Sequence, residues 1–376
     1  MESHQFEIFK LIQPSDQPVD VEKIRELTRF GIQNAMPEDR CSAWLVYLQI
    51  YPENGSEWND TKQKNLEVYN MYKEMQGLNE YHTKPIRQHF KKEDFQLKNN
   101  DLMNLIHGDI VRTGRHIMHL PESRLPGVEY EPLLQGEVNI LKWEGHMRRM
   151  ERILYILGSI NPALSYMQGF NELLMPIYNT VYNAQAMFNN NLDEVECICF
   201  FMLHNLISRS MITDLFTTQD KSSIIIHRLK EFDTILQKHV EIAHRIINKH
   251  QIHPVCYCFR WFSLLFCQDY DLKDVLLIWD ALLTNFDIIV KYSFYVGAAQ
   301  ISLIKDNLDE NDYAATIHNL QNLPQLDVHE VLKIAANFWQ IDNDKTITGQ
   351  LLNAEEFIKN KFDITAKKFK NFFNKN

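Results

Sequence analysis

The chain has 376 residues, and 39 Lys and Arg against 49 Asp and Glu give a formal net charge of -10 at pH 7. An acidic balance of this size argues against a nucleic-acid footprint, which needs clustered cations. Hydrophobic residues at 45% and charged residues at 23% exclude a disordered chain.

The length allows two or three domains, or one large domain in two lobes. Gly and Pro number 12 each, and so few breakers among long apolar runs favour helix throughout. Residues 1-20 read as a loosely structured leader, and Met1 to Lys10 is too polar for a signal peptide. No apolar stretch has the length of a bilayer span; Cys197 to Leu206 is short and ends in polar residues. The expectation is a soluble, cytoplasmic protein.

From Val21 the sequence reads as helices separated by short polar turns. Arg40 to Leu48 is amphipathic, carries Trp44, and is stopped by Pro52-Glu-Asn-Gly-Ser56. Helical runs follow at 62-76, with Tyr69 and Tyr72, and at 99-112. Between them and the next helices the pattern breaks. Pro121, Pro126, Gly127 and Pro132, with four acids from Glu122 to Glu137, mark an acidic insertion at about 119-137. Helices resume at 138-158, 171-183 and 193-208, then at 221-249, 255-268, 272-285 and 288-306. No strand alternation persists and no internal repeat is evident. The reading is therefore all-α, with an N-terminal lobe over 21-215 and a C-terminal helical lobe over 216-350.

The remaining segment, 351-376, is a basic tail. Its last 18 residues hold six Lys and one Asp, while Phe362, Ala366, Phe369 and Phe373 fall on one helical stripe. Such a stripe packs on its own domain or lies on an anionic membrane. The six cysteines suit neither a disulfide scaffold nor a zinc site. Cys197-Ile-Cys199 and Cys256-Tyr-Cys258 are spaced C-x-C within apolar runs, so they read as buried thiols. His239 and His244 likewise miss the H-E-x-x-H spacing.

Two segments carry candidate chemistry. In Asn104 to Gly114, a helical projection sets Leu102, Leu105, Ile106 and Ile110 on an apolar stripe. Asp109 falls inside the stripe and Arg112 on its rim, three residues on and within reach of the carboxylate. Thr113-Gly114 then ends the helix. A structural ion pair explains this pattern; so does a carboxylate that steers an arginine outward to a partner's phosphate. The second segment is Ser165-Tyr-Met-Gln-Gly-Phe-Asn-Glu-Leu173. Asn161-Pro162 reads as a helix N-cap with proline at the first position, and Gly169 frees the backbone before the helix that starts at Phe170. Gln168 thus sits on an ordered loop, either ending a turn or orienting a water through an amide that both donates and accepts. GTP hydrolysis uses both kinds of aid, a guanidinium for the transferring phosphate and an amide for the attacking water.

Together, Ile106-x-x-Asp109-x-x-Arg112-Thr113 and Tyr166-x-Gln168-Gly169 resemble the two finger motifs of the TBC-domain GTPase-activating proteins for Rab GTPases. Gly31-Ile32, Arg40 and Trp44 to Leu48 resemble the opening of that domain; Phe259-Arg260-Trp261 and Leu276 to Asp280 resemble its later helices. The resemblance implies a two-lobed all-α TBC-type fold acting in trans on a GTP-bound Rab, in vesicle traffic. It implies no cofactor of the chain's own, since GTP and Mg²⁺ are carried by the Rab. It assigns Arg112 and Gln168 as the fingers, Ile106, Asp109, Thr113, Tyr166 and Gly169 as their support, and Asn171 as close to the bound GTPase. Peripheral contact with endomembranes, through the Rab or the basic tail, fits the same picture.

Three departures stand out. Gln33 replaces a usual proline, Gln49 a common glycine, and Leu277 a common basic residue. The spacing between the fingers also exceeds that typical of the family, and the excess coincides with the acidic insertion. Two other classes stay open: a catalytically silent Rab-binding scaffold, whose usual sign is a lost finger, and a helical adaptor with no GTPase link. Trp44, Trp261 and Trp279 read as core; Arg260 and Asp280, beside tryptophans, read as structural polar contacts.

Overall fold

The computed structural model describes residues 7–12, 18–83, 97–125, 140–161, 165–215 and 223–344. Helices account for the regular structure among them, and the one β-bridge is isolated, between Pro18 and Asn54. In chain order the helices are α1 (Glu7–Leu11), α2 (Val21–Thr28), α3 (Pro37–Tyr47), α4 (Trp58–Met75), α5 (Asn100–Arg112), α6 (Gly114–Ile117), α7 (Glu144–Ile160) and α8 (Phe170–Asn183). They continue with α9 (Leu192–Arg209), α10 (Ser223–His239), α11 (Glu241–Lys249), α12 (Phe259–Ser263), α13 (Leu272–Thr284), α14 (Ile289–Ile304), α15 (Tyr313–Gln321) and α16 (Val328–Asn343).

Polar caps set many of the starts. The side chains of Asp20, Asn99, Asn191, Asp312 and Asp327 accept backbone N–H groups in the first turns of α2, α5, α9, α15 and α16. Pro37 opens α3, where no intrahelical donor is missed. In the N-terminal half α7 packs on α5, α8 and α9; in the C-terminal half α14 packs on α10, α12 and α16. Helix α13 touches α2, α3, α8 and α16 and so joins the halves around one continuous apolar core. Trp44, Trp261 and Trp279 are fully buried in it, as expected.

Buried charges pin α7 to its neighbours. Arg152 donates through Nε and Nη2 to the Glu196 carboxylate of α9, at 2.5 and 2.6 Å, and Tyr69 of α4 donates to the same group at 2.6 Å. Arg148 and Tyr81 both donate to Glu151, whose other oxygen pairs with His107 of α5 at 2.7 Å. Buried ions of this kind require partners on every side, and here α4, α5, α7 and α9 supply them.

The described base of the acidic insertion is strapped to the start of α7. Ser123 N–H donates to Lys142 O, Gly145 N–H to Ser123 O, and the Trp143 indole to Leu120 O. A side chain at Gly145 would collide with Ser123. Buried His146 completes the strap: Nε2 lies 2.9 Å from Pro121 O, and Nδ1 lies 3.1 Å from the Tyr178 hydroxyl. The carbonyl can only accept, so Nε2 carries the proton and Nδ1 accepts from Tyr178. Burial pushes the pKa of His146 down to about 4. The unfolded chain therefore binds the extra proton from about pH 6.5 downward, and stability falls as pH drops from about 6.5 to about 4. A shift of this size corresponds to about 3 kcal/mol across the window. Urea midpoints measured from pH 7 to pH 4.5 should show that decline, and His146→Gln should flatten it.

Several expectations are corrected. The run over 221–249 is two helices, because Val240 leaves helical geometry at φ -138°. The run over 255–268 holds only the short α12 and flanking turns, since Leu265 and Phe266 take left-handed φ of 45° and 65°. That buckle presents Leu265 O to the Trp279 indole at 3.1 Å. Cys256 is exposed, unlike the other five cysteines. Helices α15 and α16 extend the C-terminal half beyond the runs read from sequence. Within the expected leader, α1 packs on α3, burying Ile8 and Ile12 and donating Phe9 N–H to Asp39 at 2.7 Å. Gln49 stands in the left-handed position after α3, at φ 53°, which explains why glycine suits that site. Residues 1–6 and 13–17 of the leader, 126–137 of the insertion, the lobe boundary at 216, and the tail at 351–376 lie outside the described residues. No helix among the described residues is long and apolar enough to cross a membrane.

Candidate functional site

Helix α5 buries Met103, Ile106, Asp109 and Ile110 against α7 and α8. Leu105 was expected on that stripe, but it is exposed: the buried face is centred one position further round, on Ile106 and Asp109. Asp109 is 1% exposed and lies among apolar side chains, so its carboxylate needs partners. Arg112, three residues on in the same helix, supplies one through an Nη2 contact to Oδ1. The arginine itself is exposed, with 61% of its side chain open to solvent. Thr113 closes the helix, its hydroxyl donating back to Asp109 O at 3.0 Å.

The other half of the site is the segment between α7 and α8. Asn161 is the C-cap of α7, and Pro162, expected to open a helix after it, lies outside the described residues. From Ser165, at φ 51°, the chain turns through an exposed Gln168 to Gly169 at φ 109°, a conformation that a side chain would strain. Gly169 is the N-cap of α8, which starts at Phe170 as expected. Gln168 is thus displayed just ahead of a helix N-terminus.

Tyr166 brings the halves together. Its hydroxyl donates to Asp109 Oδ2 at 2.6 Å, so one carboxylate holds Arg112 with one oxygen and the Gln168 turn with the other. Burial pushes the Tyr166 hydroxyl well above the ordinary tyrosine range, against the opposing charge of Arg112, and it stays a neutral donor. The ring stands edge-on to Phe170, with centroids 6.0 Å apart.

Asn171 adds a second link. The resemblance sets it close to the bound GTPase; its side chain is 4% exposed, and its amide is used internally. Its Nδ2 donates to Thr113 Oγ1 at 2.7 Å and to Asp109 O at 3.3 Å, while Oδ1 accepts Gly169 N–H at 3.2 Å. Each polar atom of the side chain therefore points into the junction.

Two neighbours were not read from sequence. A side chain at Gly158 of α7 would stand 3.1 Å from Tyr166 Cβ and 3.4 Å from Leu102, so glycine is what lets α7 approach the turn. Its sequence signal is a glycine within a helical run, where it costs about 1 kcal/mol unless a close approach requires it. Gln268, from the turn after α12, donates to the Glu172 carboxylate of α8 at 3.3 Å. No local pattern marks that contact, since its partners are far apart in sequence. What emerges is a surface where one exposed guanidinium and one exposed amide rise from a buried, hydrogen-bonded base.

Comparison with known proteins gives the fold first. The Ypt/Rab-GAP domain of Gyp1p superposes with a TM-score of 0.66 over 88% of this chain and 95% of that domain, at 19% identity. The all-α architecture is that of Rab-GAP TBC domains. Residues 139–308 match the model of the Rab-GTPase-TBC domain, a span that includes Gln168 and Asn171 and begins after Arg112. Human TBC1 domain family member 13 is 31% identical over 208 residues, covering 55% of this chain and 50% of that protein. Human TBC1 domain family member 22B is 23% identical over 324 residues, covering 83% and 56%. The chain spans about half the length of these curated relatives.

Proposed function

We propose that this chain is a GTPase-activating protein for a Rab-family small GTPase, with Arg112 and Gln168 entering the partner's nucleotide site from outside. The observation that carries the reading is the single Asp109 carboxylate, which holds both the arginine and, through Tyr166, the glutamine turn. Arg112 neutralises charge developing on the transferring phosphoryl oxygens, for which a planar, permanent cation is suited. The Gln168 amide accepts from the attacking water with its oxygen and donates with its nitrogen, aligning it with the phosphorus. The GTP and Mg²⁺ belong to the Rab substrate, and the chain brings no cofactor of its own. A role in vesicle traffic, with recruitment to endomembranes through the Rab or the basic tail, follows from that choice of partner. The acidic insertion at about 119–137, whose described base is strapped to the start of α7, tunes which Rab is accepted in this reading.

The direct experiment is phosphate release from a panel of GTP-loaded Rabs, with wild type beside Gln168→Ala. Gln168 is exposed, so its truncation should leave the melting temperature within about 2 °C, since surface changes stay within about 0.5 kcal/mol. Stimulation of the responding Rab should fall by about 10²-fold or more, as for loss of one preorganised transition-state donor. Undiminished stimulation by Gln168→Ala would remove the glutamine from the mechanism.

A further inference from the structure

The geometry points to Asn171 as a positioning residue that locks the arginine and glutamine segments into one rigid pair. This deepens the proposed GTPase-activating role and rests on it. Helix α5 ends at Arg112 and α8 begins at Phe170, and the two termini abut. A helix end leaves carbonyls unpaired, and a helix start leaves N–H groups unpaired. One primary amide spans the two ends. Asn171 Nδ2 donates to the Asp109 carbonyl in the last turn of α5 and to the Thr113 hydroxyl that follows it. Asn171 Oδ1 accepts the N–H of Gly169, the N-cap of α8 and the neighbour of Gln168.

The orientation of this amide is determined by its partners. Gly169 N–H can only donate and Asp109 O can only accept, so a flipped amide would face like against like on both sides. Thr113 agrees: its hydroxyl proton goes to Asp109 O, leaving a lone pair for Nδ2. The Tyr166 hydroxyl lies 3.4 Å from Oδ1, but its one proton goes to Asp109 at 2.6 Å. Two bridges therefore cross the junction side by side. Asp109 to Tyr166 is the ionic one, and Asn171 is the neutral one, tied to backbone on both sides.

Two hinges make such a lock necessary. Gly169 is left-handed at φ 109°, and Ser165 is left-handed at φ 51°, so the Gln168 turn lies between positions that depart from ordinary backbone geometry. Asn171 sits inside the first turn of α8 and fixes the nearer hinge to the end of the arginine helix. At 4% exposure it has no surface to offer a partner, so its effect on the reaction passes through Arg112 and Gln168. A residue acting this way changes turnover, not recognition.

The experiment compares wild type, Asn171→Ala and Thr113→Val by steady-state phosphate release on the Rab that responds in the panel, and by hydrogen exchange on the free chain. Asn171→Ala should lower kcat at least ten-fold with KM within three-fold, and Thr113→Val should lower kcat in the same direction by less. Combined with Arg112→Ala and Gln168→Ala together, Asn171→Ala should change the residual rate less than two-fold. In the free chain, amides over 165–168 should exchange at least five-fold faster while α9 and α14 keep their protection. A raised KM with unchanged kcat, loss of protection throughout the chain, or unchanged exchange over 165–168 would each overturn the assignment. If no Rab responds to wild type, the proposed function fails, yet the exchange comparison still decides whether Asn171 locks the junction.

Discussion

Arg112→Ala is expected to lower the stimulated GTPase rate by about 10³-fold or more, the range that an arginine supplied in trans contributes in comparable phosphoryl-transfer sites. The geometry accounts for the size. Asp109 takes the guanidinium by one edge, leaving a side chain that is 61% exposed and has further N–H donors to offer. In the proposed mechanism those donors meet phosphate oxygens whose charge grows in the transition state, where a preorganised cation gains most. Arg112→Lys retains the charge but loses the planar fork, so it should recover little of the rate. Stability should change far less. The arginine side of the pair is solvent-facing, but the buried Asp109 carboxylate keeps only Tyr166, so the loss costs about 1–3 kcal/mol in urea denaturation. A variant folded as wild type that still stimulated a responsive Rab at the full rate would end the arginine's role.

How far the sequence could be read follows from which contacts are local. Asp109 and Arg112 share one helix, so the 3.6-residue period places the carboxylate inward and the arginine at the rim before any fold is known. Gly169 announces its own turn. The same period misplaced Leu105 because a helical projection gives a stripe but not its centre, which depends on where α7 and α8 approach. Asn171 shows the opposite limit. Nothing in Gln-Gly-Phe-Asn reveals that the asparagine amide will meet Thr113, because that contact exists only when α5 ends against the start of α8. The buckle at Leu265 and Phe266 escapes for a related reason, since an apolar run looks helical until a distant tryptophan claims one of its carbonyls.

Asp280 carries the largest expected effect on stability, and it explains why Gly31-Ile32, Arg40, Trp44 and Trp279-Asp280 occur together. Sequence reading expected Arg260 and Asp280 to make structural polar contacts, and each does so with a different partner. Arg260 pairs with Asp269 at 2.6 Å, near the surface. Asp280 of α13 is fully buried and accepts Arg40 Nε at 3.0 Å and Nη2 at 3.1 Å, the Trp44 indole at 2.8 Å and Ile32 N–H at 2.9 Å. Arg40 also donates to Ile32 O at 2.9 Å. Gly31, at φ 79°, brings its backbone against α13, where a side chain would stand 3.0 Å from Leu277 O. Trp44 and Trp279 then pack with ring centroids 5.6 Å apart. The early turn, α3 and α13 are thus closed over one carboxylate that takes four donated hydrogen bonds. Asp280→Ala leaves the Arg40 guanidinium, the indole and a backbone N–H without their acceptor, and truncating one partner of a buried pair costs about 3–5 kcal/mol. Asp280→Asn keeps the shape but gives up the charge and presents N–H groups to donors, so it should recover only part of that loss. The urea midpoint should fall accordingly with an unchanged slope. A loss below about 1 kcal/mol in Asp280→Ala would mean that the carboxylate gains little over its own desolvation, and that the tryptophans alone hold α3 to α13.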